Sequence, residues 1–265
     1  MSDDVGNVYQ FCPNFLGTIH IRLAKTQKSC PAGKTCRKFL DLLFALEYTN
    51  ACLRRGAALR RFPAQKTPWG GIDVKLLEEK ILSCGRVLPG NVLKVDNFLN
   101  HQIDVALIDE LGKEFYRLFS SYPINKILTV ETSGIAIACA AARCFNVPVV
   151  FAKKGSHSNV GGDVYSAEVF SFTKGVSCTI TVSKKYLSSA DSILIIDDFL
   201  ANGEACNGLI RMIEEAGAKL AGIGIAIEKG FQPGGKALRD RGIPVKSLAI
   251  VDSMTDDSIR FRDDD

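Results

Sequence analysis

From residue 72 to the C-terminus, apolar runs of strand length alternate with stretches whose apolar residues recur at helical spacing. Few folds accept that pattern. Helices are predicted at 74–84, where Val74, Leu77, Ile81 and Leu82 share a face, and at 105–119, on Leu107, Ile108, Leu111, Phe115 and Leu118. Two more follow at 135–144 and 204–216. Strands are predicted at 126–130, 147–152, 168–172, 179–183, 192–196, 220–227 and 245–251. Strands that alternate with helices can lie side by side only in a mostly parallel sheet with helices on its faces, so the fold class is α/β.

The first 72 residues break this rhythm. They carry a surplus of seven positive charges, while the remainder is negative by three, and Pro63, Pro68, Gly70 and Gly71 mark a joint. The expected division is therefore a basic N-terminal extension, 1–72, and a catalytic domain, 73–265. Arg54, Arg55, Arg60 and Arg61 would suit a targeting segment, but an opening Met1-Ser2-Asp3-Asp4 does not. A basic arm alone does not argue for a nucleic-acid partner, and none is expected. No apolar run approaches the ~20 residues of a membrane span. The nine cysteines include no Cys-x-x-Cys pair and none clusters with the three histidines, which argues against a zinc site and for free thiols in a reducing compartment. The location expected is cytoplasmic, with an organelle as the alternative if 1–72 is a targeting segment.

The chemistry concentrates in Ile193-Leu194-Ile195-Ile196-Asp197-Asp198-Phe199-Leu200-Ala201-Asn202-Gly203-Glu204-Ala205. An apolar strand ends here in two neighbouring carboxylates, and a loop of small residues then opens into a helix. Ligands of open α/β sheets collect beyond the carboxyl ends of the strands. Free N–H groups at a helix start favour an anion. A phosphate cradle beside two hydroxyl-accepting acids suits a ribose phosphate. A plain strand–turn–helix with a capping acid would read the same way. The chain lacks both GxxxxGK[ST] and GxGxxG, which argues against a nucleoside-triphosphate loop and an ordinary dinucleotide site.

This segment resembles the phosphoribosyl-diphosphate motif of type I phosphoribosyltransferases, in the form carried by the bacterial enzymes that use xanthine. Residues 93–104, 130–136, 149–154 and 221–229 resemble further stretches of the same family, in the same order. The resemblance implies a type I phosphoribosyltransferase fold, with a mostly parallel sheet, flanking helices and a small base-binding hood built from 93–100 and the region after Lys229. It implies transfer of a 5-phosphoribosyl group from phosphoribosyl diphosphate to N9 of xanthine in purine salvage, by a homodimer, with Mg²⁺ bound mainly through the diphosphate and no direct protein ligands.

By the same resemblance Asp197 and Asp198 hold the ribose hydroxyls. Ala201, Asn202, Gly203, Glu204 and Ala205 take the 5′-phosphate, and Glu131, Thr132, Ser133 and Gly134 approach the diphosphate with added charge from Lys153 or Lys154. Leu93, Asn100 and Lys229 contact the base. An ammonium suits a base with carbonyls at C2 and C6 that deprotonates readily, and it would disfavour adenine. Phe231 could cover the purine face. The glycines of 155–163 suit a flap that excludes water, with no chemistry assigned to His101 or His157. Glu204 departs from the family, which has Gln there; its carboxylate is expected to swing outward, with a helix-capping bond open to it. Guanine or hypoxanthine as the true base, or a non-catalytic sensor of phosphoribosyl diphosphate, are the alternatives.

Overall fold

The computed structural model describes residues 75–155, 162–171, 175–255 and 258–262. The expectations for 1–72 and for the flap around His157 lie outside the described residues.

The described chain begins with α1 (Lys75–Cys84), followed by a hairpin of β1 (Arg86–Leu88) and β2 (Val92–Lys94) and a π-helical turn, Asp96–Asn100. Then come α2 (Val105–Phe119), β3 (Lys126–Val130), α3 (Gly134–Phe145), β4 (Val149–Lys154), β5 (Val164–Ser171) and β6 (Val176–Ser183). The last part holds β7 (Ser192–Leu200), α4 (Glu204–Glu215), β8 (Lys219–Lys229), α5 (Gly234–Asp240), β9 (Val245–Thr255) and β10 (Ser258–Phe261). Eight strands form one sheet in the order β10-β9-β8-β7-β3-β4-β6-β5. The five central strands, β9 to β4, are parallel, and antiparallel strands flank them on both sides. This is the mostly parallel α/β sheet expected from the sequence.

The alternation of side chains along β7 explains the layers. Leu194 and Ile196 join a cluster with Ile108, Leu111, Phe115 and Ile137, on the face covered by α2 and α3. Ile193 and Ile195 join Leu209, Met212 and Ile213 of α4 on the other face. A period of two splits one apolar run between two cores, so β7 reads as continuously hydrophobic. α2 starts on Asp104, whose side chain accepts the Leu107 N–H at 3.2 Å, a cap of the ordinary Asp type. Its Phe115 and Phe119 are fully buried, each worth about 1.5–3 kcal/mol of apolar burial. They fit because β8 offers glycines beneath them. A Cβ on Gly224 would lie 2.8 Å from the Phe115 ring, and one on Gly222 would lie 2.6 Å from that of Phe119.

Several boundaries differ from expectation. β7 does not stop at Ile196 but runs through both acids to Leu200, because Phe199 and Leu200 pair with Ile227 and Glu228 of β8. β5 begins at Val164 and β6 at Val176, since the two pair over eight residue positions as one hairpin. Among the described residues no helix is long and apolar enough to cross a membrane.

Candidate active site

The carboxyl ends of β7 and β8 meet a cleft of about 390 Å³. Its floor is the segment 199–206, and its walls are Asn91 and Val92 of the β1–β2 turn, Phe170 of β5, Lys229 and Gln232. Gly203 holds the N-cap of α4 at φ +85, a left-handed conformation natural to glycine. The Asn207 N–H donates to its carbonyl at 2.8 Å. Gly203 has no side chain with which to cap this helix, no bond from Glu204 replaces it, and the first residues of the helix, Glu204, Ala205 and Cys206, line the cleft. The loop is held from behind by α5. The Gly234 N–H donates to Ala201 O at 3.1 Å, and a Cβ at Gly234 would lie 2.7 Å from both Asn202 C and Gly203 N.

Lys229, the last residue of β8, is half-buried and donates to Asn91 O at 2.8 Å. Burial pulls its pKa below the ordinary lysine value, because a desolvated ammonium loses hydration that one carbonyl does not replace. The β1–β2 hairpin and the strand-end lysine thus meet across the cleft. Asn100 comes to the same region from the π-helical turn, its Nδ2 lying 3.5 Å from Asp198 Oδ2. Leu93 is placed differently. It is 6% exposed and packs in the core with Val95 and Phe98, and the neighbouring Asn91 and Val92 line the cleft instead.

The two acids behave unequally because successive strand residues point to opposite faces. Asp197 is 7% exposed and its Oδ1 accepts the Asp198 N–H at 3.0 Å. Burial, and then the charge of Asp198, push its carboxyl well above the usual range, against a weaker pull from Lys154. Gly134 abuts it: a Cβ there would collide with Thr129 Oγ1 and lie 2.8 Å from Asp197 Oδ1. The turn 131–134 and the diacid therefore touch, although neither lines the cleft itself. Glu131 directs a carboxylate oxygen to the Lys154 N–H at 2.6 Å, and the Glu131–Thr132 peptide is cis. Of the two lysines considered for the diphosphate, Lys154 is the one whose charge reaches Asp197. Lys153 and Lys154 both pair in register with β6, with Thr181 and Ile180, and both are exposed. Cys206 lines the cleft, but burial holds its thiol protonated, so it is no nucleophile.

Among the described residues no three His, Cys, Asp or Glu side chains gather as a metal cage. Mg²⁺ does not need one. It keeps several waters and is bound by one or two carboxylates together with substrate phosphates, and the Asp197–Asp198 pair beside a phosphate loop fits that chemistry.

Gln232, Asn91, Phe170 and Phe199 belong to the cleft and were not among the sequence candidates. Gly90-Asn91, flanked by Val87-Leu88 and Val92-Leu93, is a hairpin-turn signal that would have located Asn91. Nothing local marks Gln232.

The phosphoribosyl transferase domain family model matches residues 94–257. The xanthine phosphoribosyltransferase of Ruminiclostridium cellulolyticum is 60% identical over 188 residues, 71% of this chain and 99% of the relative. That of Clostridium novyi is 56% identical over 189 residues, 71% of this chain and all of the relative. Among solved structures, adenine phosphoribosyltransferase of Giardia lamblia complexed with 9-deazaadenine has a TM-score of 0.56 at 22% identity, covering 68% of this chain and 98% of its own. The Trypanosoma brucei enzyme in complex with AMP, pyrophosphate and ribose-5-phosphate has a TM-score of 0.55 at 19% identity, covering 66% and 78%. At those identities the structures speak to the fold alone, which they share with this sheet and its flanking helices. With a family model over more than half its length and relatives of this identity, the chain belongs to the phosphoribosyl transferase family and, within it, to the xanthine phosphoribosyltransferases.

Proposed function

We propose that this chain transfers the 5-phosphoribosyl group of phosphoribosyl diphosphate to N9 of xanthine, forming xanthosine 5′-monophosphate and diphosphate in purine salvage. The observation that carries this reading is a half-buried ammonium, Lys229, in the same cleft as an uncapped helix start. One end of that cleft suits a 6-oxo purine and the other a phosphate.

The loop 201–205 and the N-terminus of α4 bind the 5′-phosphate through backbone N–H groups. Asp197 and Asp198 accept from the ribose 2′- and 3′-hydroxyls, with Asn100 steadying Asp198 from the base side. The backbone of 131–134 meets the diphosphate, and Lys154 adds positive charge beside it. Lys229 donates to the C6 oxygen of the base through one of its three N–H groups, while another keeps Asn91 O. Bond breaking at the anomeric carbon builds an oxocarbenium-like sugar and a diphosphate of high negative charge. The imidazole proton of the base passes to water or to the departing diphosphate as N9 bonds to the sugar, so the chain's task is orientation and charge. Mg²⁺ would be held mainly through the diphosphate and would supply charge neutralisation to the leaving group. The cytoplasm and a homodimer complete the reading. The free thiols support the first, the family resemblance supports the second, and light scattering of the full chain tests the dimer.

Diphosphate release measured with xanthine, guanine and hypoxanthine tests the reaction. The expected result is turnover with the highest kcat/KM for xanthine. Tight binding of phosphoribosyl diphosphate without turnover on any base would favour a sensor instead.

A further inference from the structure

Lys229 alone does not separate xanthine from guanine or hypoxanthine, since all three offer an oxygen at C6. Discrimination needs a group at the N1–C2 edge. Four buried side-chain oxygens among the described residues have no hydrogen-bond partner: Thr129 Oγ1, Thr181 Oγ1, Ser192 Oγ and Gln232 Oε1. Of these residues only Gln232 lines the cleft, and it does so beside Lys229. Buried acceptors without a donor are rare in folded proteins, because the lost hydration is not repaid.

The backbone that carries this amide is pinned at three points. Gly230 N–H donates to Val251 O at 2.8 Å, Gln232 N–H to Lys229 O at 2.9 Å, and Gly234 N–H to Ala201 O at 3.1 Å. Gly230 itself is boxed in, for a Cβ there would lie 2.7 Å from Asp252 Oδ1 and 2.8 Å from Ile250 Cγ2. The turn is thus fixed, three residues from the ammonium assigned to the C6 oxygen, and the unpaired carbonyl, shielded from solvent here, reaches the cleft by rotation of the Gln232 side chain.

We infer that Gln232 reads the N1–C2 edge of the base and is a specificity-determining residue, an inference that rests on the xanthine reading above. An amide offers one acceptor beside one donor. Xanthine offers the complement, an N1–H beside a C2 oxygen, so the carbonyl accepts from N1–H while the amide nitrogen donates to O2. Loss of the N3 proton leaves both partners in place. Guanine presents two donors along this edge, N1–H and the C2 amino group, and sets one of them against the amide nitrogen. Hypoxanthine has only a C–H at C2 and leaves that nitrogen unpaired. Sites that hydrogen-bond a substrate group reject analogues that lack it, since their own polar atoms are then stranded.

The test is kcat/KM for the three bases in the full chain and in Gln232→Glu and Gln232→Met, with melting temperature and affinity for phosphoribosyl diphosphate as folding controls. A carboxylate supplies two acceptors, which suit guanine and repel O2. Gln232→Glu should move the xanthine-to-guanine ratio towards guanine by about a hundredfold, from one bond lost and one gained at tenfold or so each. Gln232→Met should lower xanthine about tenfold or more, and hypoxanthine less. With the unaltered enzyme, 1-methylxanthine, which lacks the N1 donor, should bind at least ~10-fold more weakly than 3-methylxanthine. Base ratios that stay within about threefold in both variants, or equal binding of the two methylxanthines, overturn the role of Gln232 while leaving the reaction standing. An unaltered enzyme that turns over none of the three bases overturns the reaction and this inference together.

Discussion

Replacing Asp197 with Asn should stabilise the protein while crippling its hold on the ribose. Asp197 is 7% exposed, and burial, then the Asp198 charge, hold its carboxyl well above the usual range. In the unfolded chain it titrates near ~3.9. Between that value and the raised one, the folded state keeps a proton that the unfolded state has lost. Stability therefore falls as pH rises through the window, and the whole penalty persists above it. An amide never ionises, and its oxygen can still accept the Asp198 N–H now bound at 3.0 Å. Removing an ill-compensated buried charge is worth about 1–3 kcal/mol, or roughly 2–10 °C in Tm for a domain of this size. The assay is calorimetry of wild type and Asp197→Asn from about pH 5 to pH 8, where the gap should close as the wild type takes up its proton. Affinity for phosphoribosyl diphosphate should meanwhile drop about tenfold or more, since bonds to a charged acceptor are the stronger kind. A variant that melts at or below the wild type near pH 8, or with a gap indifferent to pH, would refute this account of the diacid.

Lys229→Met should raise KM for xanthine about tenfold to a hundredfold, and it should also remove the alkaline fall of kcat/KM. The fall arises because the charged lysine persists only below its depressed pKa, and a pH–rate profile of both proteins checks it. Glu228→Gln should lower Tm by about 6–20 °C, from the ~3–5 kcal/mol expected when one partner of a buried pair is removed. Glu228 is 2% exposed and binds Arg239 through two bonds of 2.7 and 2.6 Å. Burial opposes its ionisation, but Arg239 and Ser247 hold its pKa below the ordinary value, so its stabilisation is present above the unfolded pKa and lost as pH falls through the folded one. Melting across the acid range should show the variant's deficit shrinking. Glu204→Gln should leave phosphoribosyl diphosphate binding within about threefold, because a carboxylate swung outward is screened, whereas one ~4 Å from the phosphate would be opposed by up to ~4 kcal/mol at a surface-like dielectric. Isothermal titration would decide this, and a roughly tenfold tightening would mean that the native carboxylate faces the phosphate.

Much of the architecture was legible because local and tertiary preferences agree. β3 and α2 fall where apolar spacing puts them, at Lys126–Val130 and Val105–Phe119. Each has a face that can pack in only one direction. The reading stopped short where pairing, not composition, decides. Asp197 and Asp198 are poor strand residues, yet β8 continues alongside and carries them into the sheet. α5 was not foreseen, for Gly234-Gly235 open it and both are buried against the phosphate loop and Glu228. The site divided in the same way. Lys229 and the loop 201–205, singled out by their place in a motif, line one cleft, and Asn100 lies 3.5 Å from Asp198. Gln232 is an ordinary polar residue in sequence and becomes notable only once its carbonyl is seen buried without a donor. Leu93 shows the converse, since proximity to the base in a motif does not distinguish a wall of the cleft from the core behind it.

The packing also dictates which parts of the cleft can move. The turn after Lys229 and the phosphate loop share one contact at Gly234, too close for any side chain, and both descend from the paired strands β7 and β8. The base edge and the 5′-phosphate are thereby referred to a single rigid body, which is what holding N9 near the anomeric carbon demands, where displacements of about 1 Å cost large factors in rate. The hairpin β1–β2 is different, being a separate two-stranded sheet tied to that body at the cleft by the bond from Lys229 to Asn91 O. An ammonium has three donors, so a base oxygen can take one while another keeps Asn91 O. The hairpin thus stays tied as the substrate seats, with its Leu93 packed in the core. Discrimination at Lys229 and placement of the hood are coupled in this way, because one ammonium serves both.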